Sequence, residues 1–179
     1  MADLLTTLRL LLIAPLALAM ADPGFLPPWL VLLLLLIAIA TDYFDGRVAR
    51  ALGRASPRGQ LYDHATDFLL VTINLAALAY AGLISFLLPV LIIVAFSQYV
   101  VDSYWLYRQR ELRMSFLGRW NGILYFGPLL LVATGRLLPD DGLLLGAAVI
   151  LSQLLILSTL ASIADRALAP MRNRQAGKG

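Results

Sequence analysis

Residues 28–50 read Pro-Trp-Leu-Val-Leu-Leu-Leu-Leu-Leu-Ile-Ala-Ile-Ala-Thr-Asp-Tyr-Phe-Asp-Gly-Arg-Val-Ala-Arg. Two features of this stretch decide the fold. Its apolar part is a continuous run with no polar stripe, the pattern of a segment with no face turned to water. The run then ends in two carboxylates, Asp42 and Asp45, groups that an apolar environment excludes unless something compensates them.

The rest of the chain repeats the first feature. Hydrophobic residues make up 60% of the sequence and charged residues 14%, too little polar surface for a water-soluble globule. Runs of about 18–25 apolar residues match the hydrocarbon thickness of a bilayer, and no period-2 alternation suggests a barrel. The expected fold class is therefore an all-α integral membrane protein with six transmembrane spans. They are read at Leu4 to Ala21, Pro28 to Arg50, Gly59 to Ala81, Ser85 to Tyr107, Asn121 to Leu138 and Gly142 to Leu168. Asp22-Pro23-Gly24, Pro27-Pro28, Ser56-Pro57, Gly82 and Pro139-Asp140-Asp141-Gly142 separate them. Pro89 and Pro128 are read as an early turn or a kink. One catalytic domain covers residues 1–170, followed by a short polar cytoplasmic tail at 171–179.

Charge distribution orients these spans. Thirteen of the fourteen Lys and Arg residues fall on one side, namely Arg9, the second loop, the fourth loop and the tail, with Arg136 alone opposite. The positive-inside rule then puts both termini and the second and fourth loops on the cytoplasmic side, where the active-site cavity is expected to open. This segregation also explains the net charge of +3 without a nucleic-acid partner. Tyr99, Tyr104, Trp105 and Tyr107 fall where an interfacial aromatic belt is expected. The first span, ending Ala19-Met20-Ala21, resembles a cleavable signal peptide, but Asp3 stands where a basic n-region belongs, and the span is read as retained. Cysteine is absent, which leaves oxygen and the single His64 as metal ligands.

The acids of the opening stretch have partners in the next span. Asp42, Asp45 and Ala49 share one helix face at i, i+3 and i+7, and Asp63 and Asp67 share another at i and i+4. If spans two and three are antiparallel neighbours, Asp42 and Asp67 both lie about 12 Å from the hairpin ends. Asp45 and Asp63 lie about 7.5 and 6 Å from them, at 1.5 Å per residue. Four carboxylates at two matching heights suit Mg²⁺ or Mn²⁺, one ion or two, and disfavour zinc. Gly46 and Ala49 leave the helix bare beside the acids, where a diphosphate and its base can approach. Gly59 opens the next helix, whose free N–H groups favour phosphate oxygens, and Arg50 stands at the cavity mouth with a guanidinium suited to phosphate.

The spacing D-x2-D-G-x2-A-R-x8-G-x3-D-x3-D, present without a gap from Asp42 to Asp67, resembles the signature of the CDP-alcohol phosphotransferases. Chain length and six-span plan resemble that family too. The resemblance implies that Asp42, Asp45 and Asp63 hold metal. It makes Asp67 the catalytic base that deprotonates the incoming hydroxyl, and a further metal contact. It implies that Asp42, Gly46, Ala49, Arg50 and Gly59 bind CDP. The implied reaction transfers a phosphatidyl group from CDP-diacylglycerol to an alcohol, releasing CMP, in a homodimeric enzyme of phospholipid biosynthesis embedded in membrane lipid. A bacterial inner membrane is the expected location.

For the acceptor, glycerol 3-phosphate is the first expectation, with inositol phosphate, serine, choline or another lipid as alternatives. Arg108, Arg110, Arg113 and Arg119 are candidates for binding an acceptor phosphate, or serve only the orientation signal. Thr6 with Arg9, and Gly118-Arg119, are similar to segments of phosphatidylglycerophosphate synthases. His64 and Phe68 stand where that subgroup commonly has Pro and Lys. His64 is expected to point about 100° from Asp63 in a packing or supporting role. Asp102 is an acid near the inner end of span four, either functional or solvated at the interface. A transporter with an acidic pathway is the rival from another class. It should show polar or broken segments in two halves, whereas these acids concentrate in one hairpin.

Overall fold

The computed structural model describes residues 2–51, 57–101 and 116–176, with side chains at 6–42, 62–101 and 117–168. These residues form seven α-helices and no strand: α1 (Ala2–Ala21), α2 (Pro28–Ala51), α3 (Pro57–Tyr80), α4 (Leu87–Val101), α5 (Phe116–Leu124), α6 (Phe126–Gly135) and α7 (Gly142–Ala176). The first four follow the expected spans closely, α4 up to the end of its described part. Both α2 and α3 begin on proline, which lacks only an N–H that has no helical partner at that position.

The fifth expected span is two helices, α5 and α6, meeting at Tyr125. The cause is Pro128. With no N–H it cannot bond the carbonyl of Leu124, and its ring crowds that carbonyl, so the helical ladder is interrupted one turn earlier. The backbone at Tyr125 stays right-handed, with φ −62° and ψ −22°, and the element is kinked rather than ended, as expected of Pro128. Pro89 sits in the first turn of α4, also as expected. At the other end of the chain, α7 continues through Pro170 to Ala176, where a polar tail was read.

Gly82 ends α3. Its φ of +76° is the left-handed conformation of a helix C-terminus. The Leu83 N–H reaches back to the Leu78 carbonyl and the Gly82 N–H to the Ala79 carbonyl, both at 3.0 Å. A Cβ here would meet nothing within 4 Å, so Gly82→Ala is expected to cost about 1–2 kcal/mol through backbone conformation alone. Chemical or thermal denaturation in detergent would measure it.

The helices pack around α1 and α7. The first packs along α2 and α3, and α7 packs against α4, α5 and α6. The core between them is Leu16, Met20, Leu35, Leu75, Leu88 and Leu129, all fully buried. The first helix contributes Ile13, Leu16, Ala19 and Met20 to that core. It also changes the expected α2–α3 hairpin, because among the described residues α1 is the main link between the two acid-bearing helices.

Arg136 secures the far end of α1. Its guanidinium donates to the carbonyls of Ala19 at 2.5 Å and Met20 at 3.0 Å, two of the carbonyls that a helix C-terminus leaves unpaired. Arg136, expected alone opposite the other basic residues, thus pairs with the end of α1. Arg136→Met is expected to remove about 1.5–3 kcal/mol of stability, the contribution of hydrogen bonds to a charged group, read as a lower unfolding midpoint.

The outer surface is apolar. Leu143 is 85% exposed, and Leu11, Trp29, Ile150, Leu154 and Leu157 are exposed too. A patch of this extent marks contact with lipid or a partner rather than water. Within α7, Gly142–Leu168 is long and apolar enough to cross a membrane, and Thr6–Ala21, Pro28–Asp42 and Leu87–Val101 are shorter apolar helices.

Several polar side chains inside the bundle form hydrogen bonds locally or across helices. Thr66, Asn74, Ser152 and Thr159 bond carbonyls one turn back. Tyr125 Oη and Thr159 Oγ1 lie 2.8 Å apart, and Ser158 donates to Asn121 Oδ1 at 2.6 Å, joining α5 and its kink to α7. Such bonds tie helices where the surroundings offer no water.

Candidate metal and transfer site

Three of the four candidate acids lie on described side chains, and the structure gathers them around a residue from α1. Arg9 sits at 1% exposure. Its Nη1 donates to Asp42 Oδ1 at 2.9 Å and also to Asp67 Oδ1, while Nη2 donates to Asp63 Oδ1. Thr6 Oγ1, one turn back on α1, lies 3.5 Å from Nη2. A guanidinium presents five donors in a rigid fork and keeps its charge, so one buried cation binds acids from two helices at once.

The local sequence explains the convergence. Asp63 and Asp67, four residues apart on α3, present to the same side. Asp42 ends the apolar run of α2. The first helix packs against both α2 and α3, with Ile13, Leu16 and Met20 buried further along it. The site remains open to solvent, since the Asp42 side chain is 40% exposed and those of Asp63 and Asp67 are each 23% exposed.

His64 joins the same cluster. One ligand atom from each of Asp63, His64 and Asp67 lies within 4.8 Å of the others. The expected angular separation from Asp63 holds for the backbone, but the imidazole is long enough to swing a ring nitrogen back toward the carboxylates. The result is a mixed oxygen and nitrogen donor set, adequate for a divalent metal.

The residue after Asp67 begins a series of ring contacts. Phe68 and Phe96 stack with ring centroids 4.0 Å apart and planes 9° apart, joining α3 to α4. Tyr99 lies 6.0 Å from Phe96, and the Arg166 guanidinium of α7 sits over its ring at 5.1 Å. Tyr99 is accordingly buried and does not belong to an interfacial belt. A chain of ring contacts instead braces the helix that carries Asp67.

Other expected site residues are placed less fully. Asp45, Gly46, Ala49 and Arg50 fall on α2 and Gly59 on α3, but their side chains lie outside the described residues. Arg108, Arg110, Arg113, Asp102 and the aromatic residues Tyr104, Trp105 and Tyr107 lie outside them altogether. Arg119 is exposed on α5.

The residue whose part in the site sequence reasoning did not assign is Arg9, counted only among the charges that orient the spans. A usable signal was present. Arg9 stands between Leu8 and the apolar run 10–21, and a charge inside an apolar span calls for a partner of opposite sign.

Chemically, the cluster offers carboxylates for cation binding and proton transfer beside a solvent-open mouth. The family model described as CDP-alcohol phosphatidyltransferase matches residues 1–167, most of the chain. Comparison with curated proteins finds no match.

Proposed function

The chain belongs to the CDP-alcohol phosphatidyltransferase family, and on that premise we propose that it transfers a phosphatidyl group from CDP-diacylglycerol to an alcohol hydroxyl in phospholipid synthesis. The enzyme class itself, a transferase of substituted phosphate groups associated with membranes, comes with the family. The observation that supports the finer reading is the convergence of Asp42, Asp63 and Asp67 on one buried cation, an arrangement suited to positive charge.

Asp42, Asp63 and Asp67, with Asp45 on α2 and His64 beside Asp63, are the residues that would hold Mg²⁺ or Mn²⁺. The donor set fits because it is mainly carboxylate oxygen, the ligand these hard cations take. When bound, the metal supplies charge neutralisation at the donor's diphosphate and at departing CMP. Asp67 takes the proton of the acceptor hydroxyl. The hydroxyl oxygen forms a new bond to the phosphorus that carries the lipid, and the bond from that phosphorus to the bridging diphosphate oxygen breaks, with CMP leaving. An aliphatic hydroxyl is barely ionised at neutral pH, which is why a positioned base is needed. Gly46, Ala49, Arg50 and Gly59 are assigned to CDP, together with Asp42.

The bundle is read as six crossings, with α5 and α6 forming one kinked crossing and both termini cytoplasmic. The exposed apolar surface and the charge segregation support that reading. Glycerol 3-phosphate is the first acceptor assigned, with Arg119 and the arginines at 108, 110 and 113 on the side where its phosphate would bind. A homodimer in a bacterial inner membrane completes the proposal.

Purified protein in detergent, supplied with CDP-diacylglycerol and a panel of glycerol 3-phosphate, inositol phosphate, serine and choline, tests it. Release of CMP that requires Mg²⁺ or Mn²⁺, with a phosphatidyl product identified by mass spectrometry, is the expected result. No metal-dependent CMP with any acceptor would overturn it.

A further inference from the structure

The transfer reaction assigns no role to Arg9, although it is the most buried charged side chain described and the one on which the acids converge. Its guanidinium takes Oδ1 from each of Asp42, Asp63 and Asp67. A divalent ion would draw on the same three carboxylates, at about 2.0–2.1 Å for Mg²⁺. An ion so placed would stand within a few ångströms of a group that does not lose its proton, and the two charges repel strongly where little solvent screens them.

We propose that Arg9 is the resident cation of the acid site and competes with the divalent metal. In the metal-free enzyme its guanidinium holds Asp42, Asp63 and Asp67, and it gives up these carboxylates when metal enters. The proposal rests on the metal-dependent reading above and adds to it that metal loading is an exchange of cations. The exchange has a physical logic in a membrane, because carboxylates at this depth are costly without a counter-charge. With Arg9 on α1, the cluster never faces lipid as bare negative charge, loaded or not. Thr6 Oγ1, 3.5 Å from Nη2, gives the displaced guanidinium an acceptor on its own helix.

The opposing arrangement is cooperation, with Arg9 on one oxygen of each carboxylate while metal uses the other. Arg9 would then hold the ligands in place, and its loss would weaken metal binding. The two arrangements predict opposite signs.

Mn²⁺ binding to the purified protein in detergent, followed by the electron paramagnetic resonance of free Mn²⁺, reads that sign. Arg9→Gln is expected to bind Mn²⁺ about tenfold more tightly than the native protein, within the usual range of couplings between two ligands of one protein. Equal or weaker binding by the variant overturns the exchange. Absence of Mn²⁺ binding by both proteins removes the metal reading itself, and the exchange with it. A measurement on the native protein keeps the test independent of the variant's folding. With ¹⁵N-labelled arginine, the Arg9 guanidinium resonance, identified by its loss in Arg9→Lys, should move as Mg²⁺ is added. A resonance that stays in place at Mg²⁺ concentrations that displace bound Mn²⁺ would equally overturn the proposal.

Discussion

Arg9→Met is expected to destabilise the metal-free protein by about 3 kcal/mol, the lower end of the range for removing one partner of a buried ion pair. Arg9 is 1% exposed, and its loss leaves Asp42, Asp63 and Asp67 without the cation they share. The lower end applies because the acids themselves are partly wet, at 40% exposure for Asp42 and 23% for each of the others. Solvent therefore absorbs part of the uncompensated charge. Methionine keeps much of the volume and apolar stem of arginine, so packing against α1's neighbours is largely retained and the charge effect is isolated. Denaturation in detergent, with and without Mg²⁺, measures it. Most of the lost stability should return with Mg²⁺, since a ligand that binds only the folded site stabilises it by mass action. A loss below about 1 kcal/mol, the value of an exposed ion pair, would show that the acids do not depend on Arg9.

Asp67→Asn is expected to lower CMP release by about 10²–10⁴-fold, the contribution of a positioned general base. Asparagine keeps the shape of the side chain and an oxygen that can accept from Arg9 Nη1, so the junction of α1 with α3 should survive. It cannot take a proton from the acceptor hydroxyl. Binding of CMP, measured on the same preparation, should fall far less than turnover, which separates loss of the base from loss of the site. A variant retaining more than about a tenth of native turnover, well above the loss expected without a base, would remove Asp67 from that role. The Phe68–Phe96 stack joins α3 to α4 one residue along, so a change of charge at Asp67 should read as chemistry rather than as movement of α3.

Much of this architecture was legible along the chain because the signals are local. The 28–40 run needs a bilayer or a core whatever lies around it, and Gly82 and Pro128 act on their own helical turns. The spacing of Asp42, Asp63 and Asp67 places the acids on helix faces by geometry alone. His64 was harder to read, because angular position on a helix says where a side chain starts and not where a long imidazole ends. Tyr99 was misread for a related reason. An aromatic residue near a span's end fits a membrane interface equally well as a packing site, and only Phe96 and Arg166 around it decide between them.

Sequence by itself determined that the chain is helical and apolar, and it singled out the acids through a spacing that fixes their helix faces. Both conclusions follow from short-range periodicity, which each segment carries alone. The tertiary structure alone decided what joins the acids. Arg9 lies 33 residues from Asp42, 54 from Asp63 and 58 from Asp67. No local pattern records such a meeting, because it arises from α1 packing between α2 and α3 and from the need of buried carboxylates for a counter-charge.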